Sequence, residues 1–165
     1  MTSPKTAVLW GIGLAVVLTA PASTPAQKYE GVAVRSGQAT LQFDGRELAF
    51  KYVDGGFQQV QGFTLATLVF RPEIQANRKS HLNLTLMYQA PGKVDLDAAF
   101  STSGIALFMD GDVSQHFKGK SRCTITLTKA TPTDVEGTAD CPLVHNLAGE
   151  VMAPFMVKSF SATTR

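Results

Sequence analysis

Two aspartates, Asp95 and Asp97, are spaced so that both side chains could act on one ligand. Residues 94–100 alternate between apolar and polar types, which predicts a strand with both carboxylates on its polar face. Residues two apart on a strand are separated by about 6.6 Å. Such a pair could bind a cation or, together with a histidine, carry out acid–base hydrolysis. The simpler interpretation is the solvated face of a sheet, with the pair as a candidate binding site.

A second candidate binding site is a basic stripe of Lys118, Lys120 and Arg122, with His116 one step before it. These residues alternate along the chain, so they would share one face if a strand ran through them. A partner with an anionic surface could bind such a stripe. The alternative interpretation is a solvated sheet edge, where lysines discourage aggregation.

The other polar residues form no metal or cofactor motif. His81, His116 and His145 are far apart in the sequence, and Cys-x-x-Cys is absent. The segment 110–112, Asp-Gly-Asp, has fewer oxygen ligands than a calcium loop needs and predicts a turn. Residues 23–165 contain no Gly-x-Ser-x-Gly, Walker loop or dinucleotide-binding glycine motif. We therefore expect no metal, no cofactor and no catalytic residue.

The composition argues against a nucleic-acid-binding domain and against a disordered chain. The formal net charge of +2 is too small for a strongly basic nucleic-acid-binding domain. Hydrophobic residues make up 44% of the sequence and charged residues 17%, which favours a buried core over disorder. A length of 165 residues fits one domain of ordinary size.

The first 22 residues have the pattern of a signal peptide. Lys5 provides a positive start, and an uncharged apolar run extends over residues 7–18. A run of about 12 residues is shorter than the ~20 that a membrane span needs, although a retained anchor helix is the alternative. Ala20-Pro21-Ala22 is an Ala-x-Ala cleavage site, and a second candidate cut follows Ala26. The prediction is a single secreted or periplasmic domain over residues 23–165, with no membrane span after cleavage.

The two cysteines, Cys123 and Cys141, predict a disulfide because an exported chain meets an oxidising compartment. The segments 123–129 and 135–141 both alternate, and residues between them have turn chemistry. A hairpin with the cysteines opposed gives one apolar and one polar face. The pairs are Ile125–Ala139 and Leu127–Gly137 on the apolar face, and Thr124–Asp140, Thr126–Thr138 and Thr128–Glu136 on the polar face.

Other segments also read as strands. Asp44-Gly45 favours positive φ at both positions and predicts a two-residue hairpin. That hairpin pairs Leu41 with Leu48 and Ala39 with Phe50. Residues 54–56, Asp-Gly-Gly, are expected to end this unit. Residues 63–70 are almost continuously apolar, which predicts a central strand buried on both faces.

Turns about every 8–12 residues predict an all-β fold of about 8–10 antiparallel strands. We expect a β-sandwich carrying the cross-strand disulfide, and a small β-barrel is the alternative. The sequence has clear strand, turn and disulfide patterns but no catalytic motif. This favours a non-catalytic binding or surface-interaction module, which presents a polar sheet face or loops. The alternatives are a carrier of a small hydrophobic ligand and a hydrolase that uses paired carboxylates. The expected partner is a protein, a glycan or a small molecule, and not a nucleic acid.

Overall fold

The computed structural model describes residues 31–72, 80–99 and 101–165. Within them the regular structure consists of antiparallel strands, without a helix. The predicted signal peptide, residues 1–22 with its second cut after residue 26, lies outside the described residues. No segment in the described ranges has the helical length and apolar character needed to cross a bilayer.

The described residues form thirteen strands. They are β1 (Val32–Ala33), β2 (Ser36–Phe43), β3 (Arg46–Phe50), β4 (Tyr52–Val60), β5 (Phe63–Arg71), β6 (His81–Tyr88), β7 (Gly92–Val94), β8 (Gly104–Met109), β9 (Asp112–Gln115), β10 (Arg122–Ala130), β11 (Asp134–His145), β12 (Val151–Met152) and β13 (Phe155–Thr163). Three of these, β1, β7 and β12, have only two or three residues, so the predicted number of strands corresponds to the longer ones.

The strands build two sheets that share the long strand β11. The first sheet has the order β1-β4-β5-β6-β8-β9 and continues onto the C-terminal end of β11. The second sheet has the order β3-β2-β13-β11-β10-β7. Over the described ranges the combined sheet does not close into a barrel, so the architecture is the predicted sandwich.

The core lies between the inward faces of the two sheets. Phe70 of β5 meets Phe160 of β13 edge to face, with ring centroids 6.4 Å apart, and this contact joins the first sheet to the second. The largest fully buried side chains are Phe50, Phe57, Phe70, Leu41, Leu68, Leu82, Leu84, Leu86, Leu107, Ile125, Val135 and Val144. Burial of each such side chain contributes about 1.5–3 kcal/mol, which makes the sandwich a firm support for its surface loops.

The two predicted hairpins are confirmed. Asp44 and Gly45 have φ values of 49° and 71°, and β2 pairs with β3 in the predicted register. The register of β10 on β11 is also as predicted from residue 124 to residue 127, and the disulfide joins Cys123 to Cys141. The predicted pair of Thr128 with Glu136 is wrong, because a β-bulge after Leu127 places Lys129 opposite Glu136.

Two other strand predictions need correction. Residues 54–56 do not end a unit, since β4 runs through them and pairs with β5 along its whole length. Gly55 has φ of 135°, and its missing side chain lets the Thr67 carbonyl of β5 come close. Strand β5 is central, but only its inward face is fully buried, while Thr67 on the outer face is exposed.

Candidate functional site

The turn after β7 contains Asp95 and Asp97. Strand β7 ends at Val94, so the prediction of a strand over residues 94–100 is wrong beyond that point; residue 100 is outside the described ranges. The Asp95 carboxylate accepts the backbone N–H groups of Asp97 and Ala98 at 2.9 and 3.0 Å. This Asx turn competes with continued strand pairing, and the two carboxylates therefore do not share a strand face.

Asp97 docks this turn on the loop 116–121, which links β9 to β10. Its Oδ1 accepts the backbone N–H of Gly119 at 2.9 Å and lies 3.2 Å from Nε2 of His116. The hydrogen bond from Gly119, followed by the nearby His116 and Lys118, holds the pKa of Asp97 below its ordinary value. Lys118 also donates to the Ala98 carbonyl at 2.6 Å. The two loops are thus held together by groups that sequence analysis assigned to ligand binding.

The basic residues do not lie along one strand. Strand β9 ends at Gln115, and Lys120 donates its backbone N–H to the Phe117 carbonyl at 3.0 Å in a turn. Lys120 and Arg122 are exposed, and neither forms an ion pair within the described part of the chain. A role for Lys118, Lys120 and Arg122 in binding stays a prediction.

A serine–histidine contact next to this loop was not foreseen. The hydroxyl of Ser121 lies 2.9 Å from Nδ1 of His145 and accepts the Phe117 backbone N–H at 2.8 Å. Serine beside histidine is a pattern of nucleophilic enzymes. Here Ser121 and His145 are only 6% and 7% exposed, so the contact fixes the loop beneath the surface. The partners are 24 residues apart, and nothing in the local sequence indicates that they meet.

His116 is also enclosed. Its side chain is 4% exposed, and its Nδ1 has no hydrogen-bond partner among the described residues. Those residues contain no group of three or more His, Cys, Asp or Glu side chains placed to hold a metal ion. The contacts that these residues make in the structure hold the turn after β7 against the loop 116–121.

Sequence analysis missed a shallow groove on the outer face of the second sheet, which we call the apolar groove. Its apolar lining includes Pro142, Ala153, Pro154 and Met156, its rim carries Asp44 and Asp140, and its volume is about 470 Å³. Asp140 of β11 lies opposite Met156 of β13, which lies opposite Gln42 of β2. The pairing register of β11, β13 and β2 therefore brings the lining residues together, and the β2–β3 turn contributes Asp44 to one side of the groove.

Exposed apolar side chains are frequent in the sequence segment that ends at this groove. Five large hydrophobic side chains are exposed in the described ranges, and three of them, Leu147, Val151 and Met156, lie in residues 147–156. Leu147 and Val151 are 75% and 68% exposed. Of these three, Met156 lines the apolar groove itself.

The turn that carries Leu147 is ordered by its own polar groups. Asn146 accepts the backbone N–H groups of Ala148 and Glu150 at 2.9 and 3.0 Å and donates to the Glu150 carboxylate at 2.6 Å. Leu147 is therefore presented in a defined position rather than on a loose loop.

Comparison with known proteins finds no matching family model, no matching curated protein and no matching solved structure.

Proposed function

We propose that this chain is an exported, non-catalytic binding module that recognises a partner protein through the apolar groove. The observation that carries the proposal is the apolar lining of this groove, which includes the exposed side chain of Met156. Soluble domains keep such surface when a partner covers it. The rigid sandwich behind it reduces the entropy lost on binding.

Export is supported by the sequence of residues 1–22 and by the disulfide between Cys123 and Cys141, which is consistent with an oxidising compartment. N-terminal sequencing of protein recovered from the medium or the periplasm is expected to begin at residue 23 or residue 27. A first residue of Met1 in that protein would contradict signal cleavage.

The lining of the groove defines the partner's chemistry. Over the described ranges it contains two carboxylates, Asp44 and Asp140, and no Lys or Arg. A matching segment carries an apolar side chain next to Lys or Arg. Burial of one Leu-sized side chain supplies about 1.5–3 kcal/mol, whereas an exposed ion pair supplies about 0–1 kcal/mol. Apolar contact thus sets the affinity, and the carboxylates set the choice of partner.

The experiment is selection from a random peptide library displayed on phage, with the disulfide-bonded domain as bait. We expect selected peptides to share an apolar residue flanked by Lys or Arg. Their affinity for Met156→Ser should fall at least about fivefold, since part of the apolar contact is lost. Val32→Ser is the matched control, because Val32 is 53% exposed and does not line the groove.

Three results would contradict the proposal. One is the absence of a shared peptide pattern, and another is equal loss of affinity in Met156→Ser and Val32→Ser. The third is self-association that Met156→Ser abolishes in size-exclusion chromatography with light scattering, because a second copy would then be the occupant.

A further inference from the structure

A second groove, which we call the basic groove, lies where β2 of the second sheet passes β4 of the first. Gly37 creates this crossing, since a Cβ atom there would stand 2.7 Å from the Val53 side chain. The backbone N–H of Arg35 donates to the Thr163 carbonyl at 2.9 Å, which fixes the chain on one side of the groove. The groove is about 290 Å³ in volume and is independent of the apolar groove.

Cationic side chains outnumber carboxylates in the basic groove. Among the residues that the structure describes, its lining contains Arg35, Lys51 and Arg71 but only one acid, Asp54. Asp54 pairs with Arg71. Arg35 and Lys51 have no carboxylate partner among the described residues. Within the described part of the chain, the groove therefore holds two cationic side chains without a carboxylate partner, in a chain of formal net charge +2.

The same lining adds neutral hydrogen-bond donors. Ser36 and Tyr52 contribute hydroxyl groups, and Tyr52 is 40% exposed. Arginine presents a planar fork that matches an oxyanion, and lysine adds a mobile point charge. A concave site also strengthens electrostatic attraction relative to a flat surface.

We propose that the basic groove binds the phosphate group of a small phosphorylated molecule. A phosphate monoester carries close to two negative charges at neutral pH, which matches Arg35 and Lys51. A volume of 290 Å³ is at the lower end for small-molecule sites, which run from about 300 to 1,000 Å³. It accommodates a phosphate group with a few attached atoms.

Isothermal titration calorimetry of the oxidised domain tests this proposal with two probes, inorganic phosphate and ribose 5-phosphate, and with ribose as the uncharged reference. We expect saturable binding of both phosphates, with a Kd on the order of 1 mM or lower for the monoester, and no binding of ribose. Tighter binding of ribose 5-phosphate identifies an organic monoester as the source of the group, whereas equal binding identifies free phosphate.

Single substitutions locate the site. Arg35→Gln and Lys51→Gln should each weaken binding by about tenfold or more, because each removes a charge-assisted contact. Lys93→Gln is the matched control: it changes net charge equally, on an exposed β7 residue outside the groove. Binding should also weaken as the pH falls through about 6, where the monoester gains a proton.

The proposal is overturned by the absence of saturable binding at 10 mM probe, taken as about tenfold above the expected Kd. It is also overturned if Lys93→Gln weakens binding as much as Arg35→Gln does. Far-ultraviolet circular dichroism of each variant shows whether its fold is retained. Peptide binding at the apolar groove is measured separately, so the two proposals fail independently.

Discussion

Substitution of Gly137 by alanine should destabilise the sandwich at its centre. Gly137 of β11 lies between Leu127 of β10 and Phe160 of β13. An added Cβ would stand 2.9 Å from the Phe160 ring and still closer to the Thr126 carbonyl, closer than real Cβ atoms approach. The Phe160 ring belongs to β13, and the Thr126 carbonyl belongs to β10, which is paired with β11. Neither group can move away without disturbing the core.

Overpacking of this kind costs about 1–3 kcal/mol in the free energy of unfolding. For a domain of this size that corresponds to a Tm lower by roughly 4–12 °C. The matched control is Gly104→Ala in β8, where an added Cβ meets no atom within 4 Å. That variant should be neutral or more stable by up to about 1 kcal/mol.

Urea unfolding followed by circular dichroism measures both variants under oxidising conditions. Equal stabilities of Gly137→Ala and the parent chain would refute the packing described for β10, β11 and β13. A loss in Gly104→Ala as large as that in Gly137→Ala would refute it too, because the effect would then reflect strand glycines in general.

Three further outcomes follow from the same contacts. Replacing both Cys123 and Cys141 by serine should lower the free energy of unfolding by roughly 3 kcal/mol, and no difference from the reduced parent chain should then remain. Hydrogen bonds from Thr163 and Thr133 hold the pKa of Asp134 below its ordinary 3.8, so their stabilisation is present above pH 3.8 and is lost as pH falls toward the lowered pKa. Asp134→Asn should therefore unfold at lower urea than the parent at pH 7, with the gap narrowing at pH 3; a constant gap would contradict this linkage. Asp97→Ala should speed amide hydrogen exchange in the loop 116–121, and unchanged exchange there would show that the carboxylate does not hold it.

The hairpins were predictable because their signals are local. Asp44 and Gly45 tolerate positive φ, and alternation sorts each strand's side chains to one of two faces. The pairing of Cys123 with Cys141 followed from that sorting, since a slip by one residue would mix the faces. The bulge after Leu127 leaves no such signal, because alternation does not show where one strand takes in an extra residue.

Asp95 shows why the alternation of apolar and polar residues led to a wrong strand prediction over residues 94–100. The apolar and polar residues keep their period of two, yet the Asp95 carboxylate binds two backbone N–H groups and closes a turn. Because of this turn Asp97 does not lie on a strand face, and its carboxylate accepts the backbone N–H of Gly119 instead. Both carboxylates thus make structural contacts, and their role in ligand binding stays a prediction.

The apolar groove could not be predicted from local sequence. It combines residues 42–45, 140–142 and 153–156, which only the order β11-β13-β2 brings together. Exposure of Met156 also has no local signature, because apolar residues on an outer sheet face read like residues of a buried strand. The basic groove could not be predicted for the same reason, since its lining residues are spread over positions 35 to 71 and meet only in the folded chain.

Amide chemical-shift mapping of the ¹⁵N-labelled domain with a selected peptide tests the binding surface most directly. The account predicts shifts concentrated at residues 42–45, 140–141, 153 and 155–156, in the segments that form the apolar groove. Pro142 and Pro154 give no signal because proline has no amide proton. Shifts concentrated at residues 95–98 and 116–121, with the groove unchanged, would contradict it.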